Sequence, residues 1–139
     1  MHPFQENIQA WISRRLAGRT SSQSLEIPFV LSSDIGLVRK ENQDRVAALD
    51  TGKKSINPLF AIAVADGMGG MRDGGKCSSL AISSFFYSLI QHRNLGIKER
   101  AYEAVKASNN QVFDTYRGDG GSTLTAVLLD SQGTKIIVH

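Results

Sequence analysis

Apolar residues along this chain recur at two different spacings, and the switch between them outlines the secondary structure. Residues 59–65 (LFAIAVA) are apolar without a break, which predicts a strand in a sheet covered on both faces. Shorter segments at 27–32 and 45–49 predict two strands before it, the second joined to the third by the polar loop TGKKSINP, residues 51–58. From 74 to 93 the spacing turns helical, with Cys77, Leu80, Ala81, Phe85, Leu89 and Ile90 on one side. A second helix is predicted over 97–116, with Ile97, Ala101, Ala104, Val105, Ser108 and Val112 on its inner stripe. GDGGS, residues 118–122, breaks that helix, and 122–130 and 134–139 predict two strands around an SQG hairpin signal.

The first residues carry a further stripe, Phe4, Ile8, Trp11, Ile12 and Leu16, with Arg14, Arg15 and Arg19 beside it. That is the pattern of an amphipathic helix expected to dock on its own domain or on a partner. Glu6 and the short length argue against a membrane-surface or targeting role. GRTSSQS, residues 18–24, reads as a flexible linker, so the chain divides into 1–24 and a domain over 25–139. Within that domain the order βββααββ with short connections predicts an α+β fold, in which both helices cover one face of a mainly antiparallel sheet.

A chain of 139 residues, 41% of them hydrophobic, is long enough for one core that buries roughly two thirds of the unfolded surface. Its formal charge of +3 is spread without blocks, which argues against a nucleic-acid surface. The apolar runs are far shorter than a membrane span, and there is no apolar core of a secretory signal. A single cysteine, Cys77, excludes an internal disulfide and agrees with a cytoplasmic protein. With no histidine nearby in sequence to activate it, Cys77 reads as a packing residue.

The chemistry gathers around acids. Asp66 ends the apolar run and is followed by GMGG, so a carboxylate stands where the backbone turns, which is costly unless something positive meets it. The segment SDIGLVRKENQDR, residues 33–45, places Arg39 and Asp44 in a short connection between two predicted strands. If the first three strands are neighbours, Asp44 and Asp66 reach the same sheet edge and face one another. Such a pair either raises one pKa by repulsion or is neutralised by a hard cation, and the oxygen-rich surroundings suit Mg²⁺ or Mn²⁺ better than zinc. Gly67, Gly69 and Gly70 permit close backbone approach and unusual dihedrals, so a main-chain carbonyl can join the ligands. Arg39 offers a fork suited to a phosphoryl group. Residues 70–76, GMRDGGK, fit the G-x-x-x-x-G-K pattern of a nucleotide-binding loop. Cys77 stands where that loop needs Ser or Thr, and DGMG separates the strand from the first required glycine, which argues against this reading.

Three blocks in this order, SDIGLVRKENQDR, AVADGMGG and GSTLTAVLLD, resemble the first three sequence blocks of the metal-dependent protein phosphatases, the PPM or type 2C serine/threonine family, in its bacterial style. The resemblance runs from about residue 27 to the end of the chain. It implies an αββα sandwich with a centre of two or more Mn²⁺ or Mg²⁺ ions at one end of the sheets, acting on phosphorylated protein substrates. Carried over by position, it implies that Asp66 bridges two metals and that Gly67 offers its carbonyl to one. It implies that Asp44, with Gln43 beside it, contacts the centre directly or through water, and that Arg39 binds the substrate phosphate. Water activated by the metals would attack phosphorus in line. Met68 stands where eukaryotic members often have His, so no general acid is assigned, and Ser122 and Thr123 are taken as packing or backbone-bonding residues.

The family completes its metal centre with further aspartates from a C-terminal half. The expectation is therefore that these residues form the N-terminal part of a phosphatase domain, weakly active or inactive alone. Such a chain would self-associate or pair with a complementary C-terminal half. The competing reading is a non-catalytic phosphatase-like binding module.

Overall fold

The computed structural model describes residues 1–13, 20–23, 29–68 and 73–139. Along the chain these form α1 (Pro3–Ile12), β1 (Thr20–Gln23), β2 (Val30–Ser33), β3 (Asp44–Asp50), β4 (Leu59–Asp66), α2 (Gly74–Gln91), α3 (Ile97–Tyr116), β5 (Thr125–Asp130) and β6 (Lys135–Val138). Strands β3 to β6 make one antiparallel sheet in chain order, and β1 pairs with β2 in a separate antiparallel ribbon. The fold is α+β, with the helices on one face of the four-stranded sheet.

Alternation along the strands decides what each face does. On the helix side, Ala47, Leu59, Ala61, Ala63, Ala65, Ala126 and Leu128 pack with Ile82, Phe85, Phe86 and Leu89 of α2 and Ala101 and Ala104 of α3. The alanines of β4 are small enough to let α2 lie close against the strand. Opposite them, Phe60, Ile62, Val64 and Asp66 project from the outer face. Phe60 is covered there by Phe29, their ring centroids 5.3 Å apart. Further along that face Val64, Leu129 and Ile137 are exposed. Among the described residues the both-sides cover expected for residues 59–65 holds at Phe60, is partial at Ile62 and fails at Val64.

Three helices pack on the sheet side, not two. Pro3 starts α1 with its φ preset and the His2 ring accepts the Phe4 N–H at 3.2 Å. The helix docks on α2 with part of the expected stripe, Ile12 being buried and Ile8 packed against the core. Gln5 is also buried, donating to Ser84 Oγ at 2.9 Å, whereas Phe4 and Trp11 are about half exposed. Leu16 lies outside the described residues. The linker reading is corrected for Thr20–Gln23, which pair as β1 with β2. Thr and Ser satisfy a strand as readily as a loop once a partner backbone is beside them.

The first predicted strand also needs correction. Its described part, β2, belongs to the ribbon and is no sheet neighbour of β3. In α3, Val105 is exposed while Arg100 is buried, the reverse of what hydrophobicity suggests. Arg100 donates to the Leu89 carbonyl from Nε and Nη2 (3.2 and 2.8 Å) and to the Asn57 carbonyl from Nη1 (2.8 Å), closing the end of α2 onto the β3–β4 loop.

Candidate functional site

Asp44 and Asp66 are register partners at the end of the β3–β4 ladder. Arg45 turns toward α2, its Nε donating to Ser79 Oγ at 3.1 Å, so alternation sends Asp44 to the outer face beside Asp66. The two carboxylates interact directly. Although Asp44 is exposed as a residue, its carboxyl is partly desolvated. That burial, then a hydrogen bond that protonated Asp44 donates to the Asp66 carboxylate, and repulsion by the Asp66 charge push Asp44 above the ordinary aspartate range, while Arg45 and Arg39 pull it down.

Each acid is held by its backbone. On the Asp44 side, Asn42 Oδ1 accepts the Asp44 N–H at 3.0 Å and Asn42 Nδ2 donates to Ser33 Oγ at 2.6 Å, tying the loop to β2. Arg45 Nη1 donates to the carbonyls of Asn42 and Asp44 (2.7 and 2.8 Å). Around Asp66, the N–H donates to Thr123 Oγ1 at 3.0 Å, and the carbonyl accepts from Thr123 N–H at 2.9 Å and Ser122 Oγ at 3.1 Å.

The next residue, Gly67, donates to the Gln43 carbonyl at 3.3 Å, which also accepts from Ser78 Oγ of α2 at 2.6 Å. A Cβ on Gly67 would lie 2.3 Å from the Gly74 carbonyl oxygen and 2.9 Å from that of Gln43. Glycine is therefore required by close approach of the β4 end to the start of α2, and its φ is not in the left-handed region.

Arg39, Asp44, Asp66 and Gly67, the four residues singled out from the sequence, line one polar cleft of about 330 Å³ together with Gln43 and Met68. The residues that position them, Asn42, Arg45, Ser78 and Thr123, carry weaker signals. Asn42 and Arg45 stand out only as members of the polar segment 33–45 and Thr123 as a packing or backbone-bonding residue, whereas nothing in the sequence singles out Ser78.

The donor set was weighed against a divalent cation. Two facing carboxylates in a polar cleft that also holds Asn42 and Gln43 suit a hard cation that keeps several waters. Among the described residues no group of three or more His, Cys, Asp and Glu side chains is placed to hold a metal ion. Two carboxylates fall short of the negative charge that two dications require.

The nucleotide-loop pattern places Gly70, Met71 and Arg72 outside the described residues. Its lysine, Lys76, pairs with Asp73 at 3.1 Å. Cys77 is fully buried and its thiol is pushed up by that burial, consistent with packing. Among the described residues no helix is long and apolar enough to cross a membrane.

No family model matches the chain. It is 30% identical over 111 residues to a protein of Streptococcus pyogenes serotype M6 described as "Putative protein phosphatase 2C-type". That alignment covers 71% of this chain and 42% of the relative, so the chain spans less than half of the relative's length. The similarity supports a phosphatase-like relationship at the level of the family.

Proposed function

We propose that this chain carries part of the centre of a metal-dependent serine/threonine protein phosphatase, with Asp44, Asp66 and the Gly67 carbonyl as cation ligands and Arg39 as the phosphate-binding residue. One observation carries the reading: the opposed Asp44 and Asp66 open into the same cleft as Arg39. The similarity to the streptococcal protein supports it. The substrate class is phosphoserine or phosphothreonine on a protein, and the cations are Mg²⁺ or Mn²⁺.

In this reading Asp44 and Asp66 relieve their mutual repulsion by holding positive charge, and Arg39 orients the phosphoryl oxygens from the cleft rim. Divalent cations supply charge neutralisation at phosphorus and activation of water when bound. Two carboxylates cannot satisfy two such ions, so further oxygen ligands come from a complementary half. Exposed Val64, Leu129 and Ile137 lie on the same sheet face as the acids and suit a covering layer there.

The test is Mg²⁺ titration of the isotopically labelled chain followed by backbone NMR. Shifts are expected at the Asp44, Asp66 and Gly67 amides and lost in Asp66→Asn. Phosphoserine-peptide affinity should fall about tenfold in Arg39→Ala, the loss of one charge-assisted contact. Absence of any cation-dependent shift at these amides would remove the reading. Manganese-dependent turnover of a phosphopeptide by the 139-residue chain alone would refute the stated ligand shortage.

The second reading, a non-catalytic phosphatase-like binding module, is favoured by the two-carboxylate donor set. It predicts phosphopeptide binding that ignores divalent cations and survives Asp66→Asn.

A further inference from the structure

We infer that Thr123 is a positioning residue for the Asp66–Gly67 turn, setting where Asp66 presents its carboxylate to a divalent cation; this rests on the reading of Asp66 as a cation ligand. The sequence reading takes Thr123 as a packing or backbone-bonding residue and gives it no part in cation binding. The structure gives it two bonds to one residue: its Oγ1 accepts the Asp66 N–H at 3.0 Å and its own N–H donates to the Asp66 carbonyl at 2.9 Å.

The first of these replaces a ladder bond. Regular β4–β5 pairing stops at Val64 opposite Thr125, two residues short of Asp66. Beyond that point a backbone acceptor no longer meets the Asp66 amide, and a side-chain hydroxyl takes over. Ser122 adds Oγ to the Asp66 carbonyl at 3.1 Å, and Met68 N–H reaches the Gly121 carbonyl at 3.1 Å, so the turn is held on this side over three consecutive residues. On the other side Gly67 N–H bonds the Gln43 carbonyl at 3.3 Å, which anchors it next to Asp44.

Among the described residues the hydroxyl is thus the one side-chain contact to the amide of the acid itself. Its removal frees that peptide to rotate while the flanking ladder stays paired. An outer-sphere bond of this kind sets ligand orientation, and losing one typically weakens metal binding by about 10–100-fold. Thr123 also lines the cleft, so it acts on Asp66 from within the site.

The experiment compares the full chain with Thr123→Val, Thr123→Ser and Ser122→Ala by Mg²⁺ titration and amide hydrogen exchange, both read by NMR. Thr123→Val keeps the branched shape and removes the acceptor. It should weaken Mg²⁺ binding about tenfold and speed exchange at the Asp66 amide, with the other β4 and β5 amides unchanged. Thr123→Ser, which keeps the hydroxyl, should restore both to within about twofold, a rescue that packing alone does not predict.

If Thr123→Val fails to fold, Ser122→Ala decides. It removes a bond to the carbonyl of the same residue, the next peptide of the turn, so a weaker Mg²⁺ response in a folded spectrum supports the inference and an unchanged one overturns it. Parental Mg²⁺ affinity in folded Thr123→Val overturns the inference and leaves the cation reading standing. No Mg²⁺ response in the parent chain overturns both.

Discussion

Asp44 and Asp66 stand directly opposite one another at the last rung of the β3–β4 ladder, two like charges at a place where cross-strand pairs usually attract. Their repulsion has a thermodynamic sign. Asp44 is raised above 3.8 in the folded chain, first by burial and then by Asp66. The folded state therefore holds its proton to higher pH than the unfolded state does. Below the unfolded value both states are protonated, and stability is lost as pH rises through the raised folded value. Asp66→Asn should remove part of this loss. The variant should be more stable than the parent at pH 7 by no more than about 0.5–1 kcal/mol, because both side chains face solvent. The difference should shrink at pH 3. Urea denaturation at the two pH values measures it, and a less stable variant at pH 7 would contradict the repulsion.

A divalent cation should reverse the same penalty. With Mg²⁺ or Mn²⁺ at ten times its dissociation constant, stabilisation of about 1.4 kcal/mol is expected by mass action. It should vanish on adding chelator and be absent from Asp66→Asn. Thermal melts with and without the cation read this directly, and equal gains in parent and variant would place the ion elsewhere.

Gly67→Ala should be among the costliest small substitutions in the chain. The added methyl would sit 2.3 Å from the Gly74 carbonyl oxygen, a backbone atom that cannot swing away. Separating β4 from α2 to make room is expected to cost about 1–3 kcal/mol. It should also weaken cation binding, since Gly67 adjoins Asp66. A urea midpoint within error of the parent would refute the close approach.

Arg100 is buried with its charge met by backbone carbonyls of Leu89 and Asn57. Arg100→Met fills similar space but leaves those carbonyls without their donors, and a loss of about 2–4 kcal/mol is expected. Arg100→Lys should recover only part, since one ammonium cannot span both carbonyls as the planar fork does. Chemical denaturation ranks the three proteins, and a neutral Arg100→Met would show that the clamp contributes nothing.

Much of this architecture was legible from spacing. The second long helix has the predicted bounds, 97–116, and the strands at 44–50, 59–66, 125–130 and 135–138 lie within a few residues of their expected places. The facing of Asp44 and Asp66 was inferred from strand adjacency alone. What spacing missed on α2 has a clear cause. Ser78, Ser79, Ser83, Ser84 and Ser88 are buried, although a hydrophobic count marks them as solvent-facing. Ser79 and Ser83 return their hydroxyls to carbonyls of their own helix, Gly75 at 2.8 Å and Leu80 at 3.0 Å. A serine that satisfies itself in this way can be buried at little cost.

Local chemistry, then, was written in the order of residues: where strands and helices run, which glycine must be small, and which acids and arginine share a loop cluster. Those features depend on neighbours a few positions away, and a linear pattern records them. The tertiary structure alone decided that α1 turns Gln5 rather than Phe4 inward, that Arg100 closes α2, and that Thr123 meets the Asp66 amide from 57 positions away. Each is settled by which backbone group comes within hydrogen-bonding distance once the layers pack, and no periodicity in one segment carries that information.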